Sequence, residues 1–516
     1  MSAGAAHSEE EMLRDLLAPE NLPAPAGAPE LRSTHSSRVI LADSDVFKLK
    51  RARDLGFLDY RGLSVRWHFC HEELRLNRRL APDVYLGVVP VFRDARGYSM
   101  TRGGHVVDYA VHMRRLDESH SALTMHREGR LETDHLERLA VKLAHFESEA
   151  LVVSESSAAF LESLHENFEQ TRWQRGQLLS DDRWERIRTR QLEVASDTRE
   201  LRASRATKDG HGDLRLEHVY FESNEPIIID CIEFLARFRH ADPALDVAFL
   251  AMDLHREGQP ERAEWFLNRY AFASNDHDLY PLMALYASYR AFVRGKVAGF
   301  VVADEAAPPE VHERKAREAR EYFELAERLL SPPSPRPRLI AVGGMIASGK
   351  TTLSAELAKR MPAVHLAADA VRKFLVGVPQ EQPAPDHAYD AAMNTRVREE
   401  LMRRARLILL SGRNVILDTT FVQQAPRMEA RELAHALGLP FSFIECRAPE
   451  ELLRQRLRAR HGGLSDARED LLDAFLGTWE PVEGLAAHEH LVVADEETSE
   501  RRILRVLKRL QETAID

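Results

Sequence analysis

Cysteine is scarce. The 516-residue chain has three, and Cys70, Cys231 and Cys446 lie far apart and in no metal-ligand spacing. That excludes a disulfide framework or a zinc site and leaves buried thiols as the expectation. Long apolar runs are also missing. No stretch approaches the ~18 uninterrupted apolar residues of a membrane span, and Glu9, Glu10 and Glu11 stand where a secretory signal needs positive charge followed by an apolar run. A cytoplasmic protein without membrane contact is expected. Positive charge is in deficit too: 71 Lys and Arg against 82 Asp and Glu leave a formal charge of −11. That balance opposes broad coating of nucleic acid, although a local basic stretch can still meet phosphates. Aromatics make up 7% of the chain and apolar residues 44%. The apolar share is ample for about three folding units at roughly 100–200 residues per domain.

The clearest boundary is Ser331–Arg338, where Pro332, Pro333, Pro335 and Pro337 remove backbone donors and fix φ. A flexible segment is expected over 1–30, a β-rich and then helical domain over 31–330, a linker over 331–338, and a further domain over 339–516. In the first domain the patterning predicts strands at 38–42, 45–50, 83–90 and 106–113, a helix at 65–80, and strands at 216–221 and 226–230.

The strongest motif is Gly344-Met345-Ile346-Ala347-Ser348-Gly349-Lys350-Thr351, which fits G-x-x-x-x-G-K-[ST] between the strand 339–342 and a helix from Thr352 to Arg360. Gly344, Ser348 and Gly349 let backbone N–H groups turn inward on an anion, and the helix N-terminus, with Thr352, adds partial positive charge. Lys350 reaches the β/γ-phosphates of ATP, and Thr351 offers a hydroxyl to Mg²⁺. Asp369 follows the strand 363–367, with Arg372 one helical turn later; such a pair binds and deprotonates an acceptor hydroxyl. Asp418 ends the apolar strand 415–418 and is the expected carboxylate near Mg²⁺. Arg456 and Arg460 belong to an arginine-bearing lid over the nucleotide.

This set, spanning 338–516, resembles the small P-loop kinases: zeta toxins, gluconate kinases, chloramphenicol phosphotransferases and the kinase part of polynucleotide kinases. The resemblance implies a three-layer α/β fold with a parallel sheet, Asp369 as base and Arg372 as the group orienting the acceptor. The acceptor remains open between a small molecule and a nucleotide, with a 5′-hydroxyl polynucleotide end as the alternative.

In the first domain His211-Gly212-Asp213 is followed by Ile227-Ile228-Ile229-Asp230. Two such carboxylates suit phosphoryl transfer, one aligning a hydroxyl and the other holding Mg²⁺. Alternation through Val46-Phe47-Lys48-Leu49-Lys50 makes Lys48 a phosphate contact, with Glu73 or Glu72 on the next helix as its ion-pair partner. Residues about 30–300 resemble the aminoglycoside phosphotransferase group of the bilobal protein-kinase-like fold. The whole chain is similar to a bacterial family that fuses such a domain to a P-loop kinase. In that kinase group an Asn stands five residues after the catalytic Asp. Here the position is His218, which weakens one Mg²⁺ position or favours a softer ion. A pseudokinase scaffold regulating the second domain is therefore the alternative reading of the first.

Overall fold

A computed structural model describes residues 3–23, 27–34, 36–54, 59–154, 158–304, 307–331, 336–380, 382–459, 469, 472–494 and 499–512. The chain forms two compact units, and both elements of the division are discontinuous in sequence. One is Met1–His165 with Arg202–Asp253; the other is Glu166–Leu201 with Leu254–Asp516. The Pro-rich segment falls inside the second, and its residues 332–335 lie outside the described residues.

In the first unit β1 (Glu30–Ser33), β2 (Ser37–Leu41), β3 (Asp45–Lys50), β4 (Tyr85–Asp94), β5 (Gly97–Ser99) and β6 (His105–Arg114) make an antiparallel sheet in the order β1-β2-β3-β6-β4-β5. The two-residue period of β3 sends Phe47 and Leu49 into a core with Ile40, Val91 and Ala110. It thereby turns Lys48 and Lys50 to the other face. The helix Leu63–Asn77 is only weakly amphipathic in apolar terms because its buried stripe is largely polar: Arg66, Cys70, Glu73 and Asn77 recur at helical spacing. Arg66 is neutralised by Asp108 at 2.7 Å.

The segment expected to be flexible instead carries a helix, Ala3–Leu16, whose Met12 and Leu16 are buried with Leu22 in the core of Phe47. Apolar residues four apart on one face explain this, since burying them outweighs the disordering effect of the prolines that follow. A second correction concerns the strand expected from Leu216. Residues Leu216–His218 form a 3₁₀ turn, and only then does β8 (Val219–Glu222) pair with β9 (Glu225–Ile228). β7 (Lys208–Asp209) precedes this hairpin and pairs with β10 (His240–Ala241) after it. Ser223 and Asn224 both take positive φ, 50° and 66°, which a two-residue hairpin loop matched to strand twist requires.

The second unit contains a parallel sheet of β11 (Leu339–Gly344), β12 (Ala363–Ala367), β13 (Asn414–Asp418), β14 (Phe441–Arg447) and β15 (His490–Ala494), in the order β12-β13-β11-β14-β15. Its central strand β11 is a continuous, fully buried apolar run, as a strand covered on both faces demands. Helices Lys350–Arg360 and Ser499–Glu512 close one face through Leu357, Ile503 and Val506. Helices Pro260–Ser274 and Tyr280–Val302 belong to the same unit and are tied to the sheet side by polar contacts. Arg413 makes a two-pronged pair with Glu264 at 2.7 and 3.0 Å. Arg404 donates to Asn275 at 2.8 Å and to His277 at 3.1 Å. Burial, then the neighbouring Arg404, pushes His277 down to about 3, so it accepts from Arg404 as a neutral ring. No described helix is long and apolar enough to cross a membrane.

Candidate functional site

The loop between β11 and the helix Lys350–Arg360 is shaped by backbone conformations that side chains oppose. Gly344 has φ 139°, and a Cβ there would lie 2.2 Å from the Cys446 carbonyl oxygen of the neighbouring strand β14. Gly349 has φ 89° and Ala347, without glycine's freedom, φ 63°. The result is a turn tight enough to aim backbone N–H groups at one point ahead of the helix. Lys350 folds back to donate to the Met345 carbonyl at 2.8 Å. The Ser348 hydroxyl is buried without a hydrogen-bond partner.

This loop opens into a cavity of about 1670 Å³ whose lining includes Gly349, Lys350, Thr351, Thr352, Asp369 and Asp418. β12 and β13 run parallel with Ala367 opposite Asp418, so Asp418 and, just past the end of β12, Asp369 sit at adjacent carboxyl ends of strands, where ligands of open α/β sheets bind. Asp418 is buried, and its Oδ2 accepts from His365 Nε2 at 3.2 Å. Arg372 lies 3.9 Å from Asp369. Its guanidinium is engaged elsewhere: it donates to the Ala388 carbonyl at 2.6 Å and to Asn394 Oδ1 at 2.8 Å, and lies over the Tyr389 ring at 4.7 Å. The arginine expected to orient the acceptor thus braces the wall of the cavity that faces Asp369. Arg456 donates to the Ala347 carbonyl at 3.3 Å and lines the cavity with Arg502 from the last helix. Arg460 and the His461-Gly462-Gly463 stretch lie outside the described residues. Arg502 and His365 escaped sequence reasoning because neither stands in a motif.

In the first unit the five residues read from sequence meet. Lys48 lies 2.8 Å from Glu73 and donates to Asp230 at 2.6 Å. Glu73, not Glu72, is the partner; Glu72 pairs with Arg75 and Arg239. His218 sits between the two carboxylates, 3.6 Å from Asp230 and 3.6 Å from Asp213. Its Nδ1–H donates to the Asp213 backbone carbonyl at 2.8 Å, while Arg215 donates to its Nε2 at 3.3 Å. Both ring nitrogens are therefore occupied by protein. Asp230 adopts φ 65°, a left-handed turn that aims its carboxylate at Lys48. Burial would raise its pKa, but Lys48 and then His218 hold it well below the carboxylate range. Burial likewise disfavours charge on Lys48, yet Asp230 and Glu73 keep it well above the ordinary lysine value.

Three further residues complete this cluster. Lys50 bridges Glu73 and Glu233 in full burial. The Asp246 carboxylate accepts from the N–H groups of His211 at 2.6 Å and Gly212 at 2.9 Å, fixing the loop that presents Asp213. The alternation that singled out Lys48 also marks Lys50, but nothing in local spacing says that it is buried with Glu233. Among the described residues no group of three or more His, Cys, Asp or Glu is arranged to hold a metal by itself. The three cysteines are buried thiols, and burial pushes each up to about 12.

Comparison with known proteins bears on both units. The AAA domain family model AAA_33 matches residues 339–482. An adenylyl-sulfate kinase of Myxococcus xanthus (strain DK1622) is 32% identical over 183 residues, which is 33% of this chain and 90% of that protein. Among solved structures, a gluconokinase from Sinorhizobium meliloti 1021 covers 35% of this chain and 94% of its own, at 21% identity and TM-score 0.26. The GDP complex of aminoglycoside 2′-phosphotransferase-IIIa covers 62% of this chain and 98% of its own, at 15% identity and TM-score 0.39. The uncharacterized protein Rv2004c of Mycobacterium tuberculosis (strain ATCC 25618 / H37Rv) is 32% identical over 459 residues, 86% of this chain and 89% of the relative. The chain is a kinase-type phosphotransferase that belongs to the family of Rv2004c, and its carboxyl-terminal part carries the P-loop kinase domain matched by the AAA_33 model and by the adenylyl-sulfate kinase.

Proposed function

We propose that the second unit transfers the γ-phosphoryl group of ATP to a hydroxyl of a small molecule or nucleotide, with Asp369 as the base toward that hydroxyl. The observation that carries this reading is the shared cavity of Lys350, Thr351, Asp369 and Asp418. Lys350 exchanges its bond to the Met345 carbonyl for phosphate oxygens and stabilises the charge of the transferring group. Asp369 accepts the hydroxyl proton as the new O–P bond forms and the bond to the leaving ADP oxygen breaks. Arg372 keeps the facing wall in place through Asn394 and Ala388, and Arg456 sits over the phosphate loop at Ala347, where it can meet the nucleotide. Thr351 and Asp418 would hold Mg²⁺; their oxygen donors suit a hard cation, and the unpartnered buried Ser348 hydroxyl beside them fits a site built for a polar ligand. When bound, the ion neutralises charge on the phosphates.

The first unit supplies a second site for the same class of reaction, with Asp213 toward the acceptor, Lys48 on phosphate and held by Glu73, and Asp230 toward the metal. His218, bonded through both nitrogens, serves that site by spacing the two carboxylates. ATP turnover by the full chain tests which unit dominates. Lys350→Ala is expected to remove most of it, about 100-fold, whereas Lys48→Ala leaves the larger part; the reverse ranking would move the main activity to the first unit.

A further inference from the structure

Asp418 lines the cavity, and His365 does not. The imidazole stands behind the carboxylate, on the neighbouring strand β12 and two residues upstream of Asp418's register partner Ala367. Its flanking residues Val364 and Leu366 are buried apolar side chains, yet His365 places Nε2 3.2 Å from Asp418 Oδ2. A carboxylate can only accept, so the ring carries its proton on Nε2 and donates it. This is the one side-chain hydrogen bond to Asp418 among the described residues. A strand-end aspartate without such a bond rotates about its last torsion, which is broad and shallow. One held through Oδ2 presents Oδ1 in a single orientation.

We infer that His365 is a positioning residue for the cation at the phosphate loop: it fixes the rotamer of Asp418 and so sets the cation affinity of the nucleotide complex. The inference rests on the reading of Asp418 as the cation-side carboxylate. Groups that orient metal ligands without touching the metal typically change its affinity by 10–100-fold.

The full chain carrying Asp230→Asn, which silences the first unit's carboxylate, serves as the parent. Mn²⁺ binding to its ADP complex is read by electron paramagnetic resonance, and ADP binding in EDTA by calorimetry. His365→Ala should weaken Mn²⁺ about 10-fold or more while ADP affinity in EDTA and the ligand-free thermal midpoint stay put. His365→Gln, whose amide N–H reaches the place of Nε2, should recover most of the loss. Unchanged Mn²⁺ affinity in His365→Ala, with Asp418→Asn losing it, overturns the positioning role alone. So does an equal fall of EDTA affinity or midpoint, or no recovery in His365→Gln. If Asp418→Asn itself leaves Mn²⁺ affinity intact, the assignment of Asp418 fails and the inference with it.

Discussion

The two proposed phosphate sites are built from different materials. In the second unit the anion would be met by backbone: a loop of eight residues that takes positive φ at Gly344, Ala347 and Gly349 and carries one lysine, Lys350. In the first unit it would be met by side chains, Lys48 and Lys50 balanced against Glu73, Glu233 and Asp230 from three separate segments. A backbone nest keeps its shape whatever the charges around it do. An ion-pair cluster keeps its shape only while every member is charged and present, because the low-dielectric interior that strengthens each pair also penalises an unpaired partner. The first site should therefore be the more fragile, and the second the more tolerant of side-chain change.

The largest effect is expected where the second site depends on a single side chain. Asp369→Asn should lower phosphoryl transfer about 100-fold or more with ATP affinity unchanged, read by single-turnover transfer beside equilibrium binding. Lost affinity would contradict the role of base. The fragility of the first site is broken open by Glu73→Gln. Removing one member of a buried pair costs about 3–5 kcal/mol, and here two buried lysines lose it together. Urea unfolding should show a fall of that order in the first unit, and a fall below about 1 kcal/mol would erase the contrast drawn between the sites.

A smaller effect sharpens it through pH. Glu147 is buried with Oε2 unpartnered, and burial, then the Asp246 carboxylate, pushes it up to about 8. The folded state thus holds a proton that the unfolded state releases near 4.5. Stability contributed by that group falls as pH rises from about 4.5 to 8 and is level above. Denaturant midpoints between pH 5 and 8 should decline for the wild type and flatten in Glu147→Gln. Smallest is His218→Asn. Because both nitrogens of His218 are bonded to protein, the change should alter Mg²⁺-supported turnover at the first site, measured in a Lys350→Ala chain, by only a few-fold, with Mn²⁺ narrowing the difference. Turnover equal to an Asp213→Ala blank in every metal would make the first unit a scaffold.

What the sequence disclosed follows the same division. β3 and β12 run over the spans their patterning predicts, 45–50 and 363–367, because alternation and continuous apolarity are local properties. The phosphate loop was legible for the same reason: its glycines answer to φ values that neighbours in sequence impose. Lys48 with Glu73 was half legible, since alternation and helix position suggested the pair without choosing between Glu72 and Glu73. Lys50 with Glu233, His365 with Asp418, and the engagement of Arg372 by Ala388 and Asn394 were not legible. Each joins residues that meet only once strands or helices have packed. The helix Ala3–Leu16 was not legible either, because the core that buries Met12 and Leu16 is supplied by distant strands.

The second unit begins at Glu166, is interrupted by Arg202–Asp253, and resumes at Leu254. A chain leaving the ribosome therefore delivers the helix Asp181–Asp197 long before Ser288, which accepts from its buried Gln191 at 2.8 Å. That contact must wait while β7 to β10 of the other unit emerge. Amino-terminal domains usually mature first during synthesis, but here vectorial maturation is blocked by interleaving. During that interval the nascent chain should call on holding chaperones, and a nonsense mutation upstream of the helix Tyr280–Val302 should release a product in which the helix Asp181–Asp197 lacks its Ser288 contact.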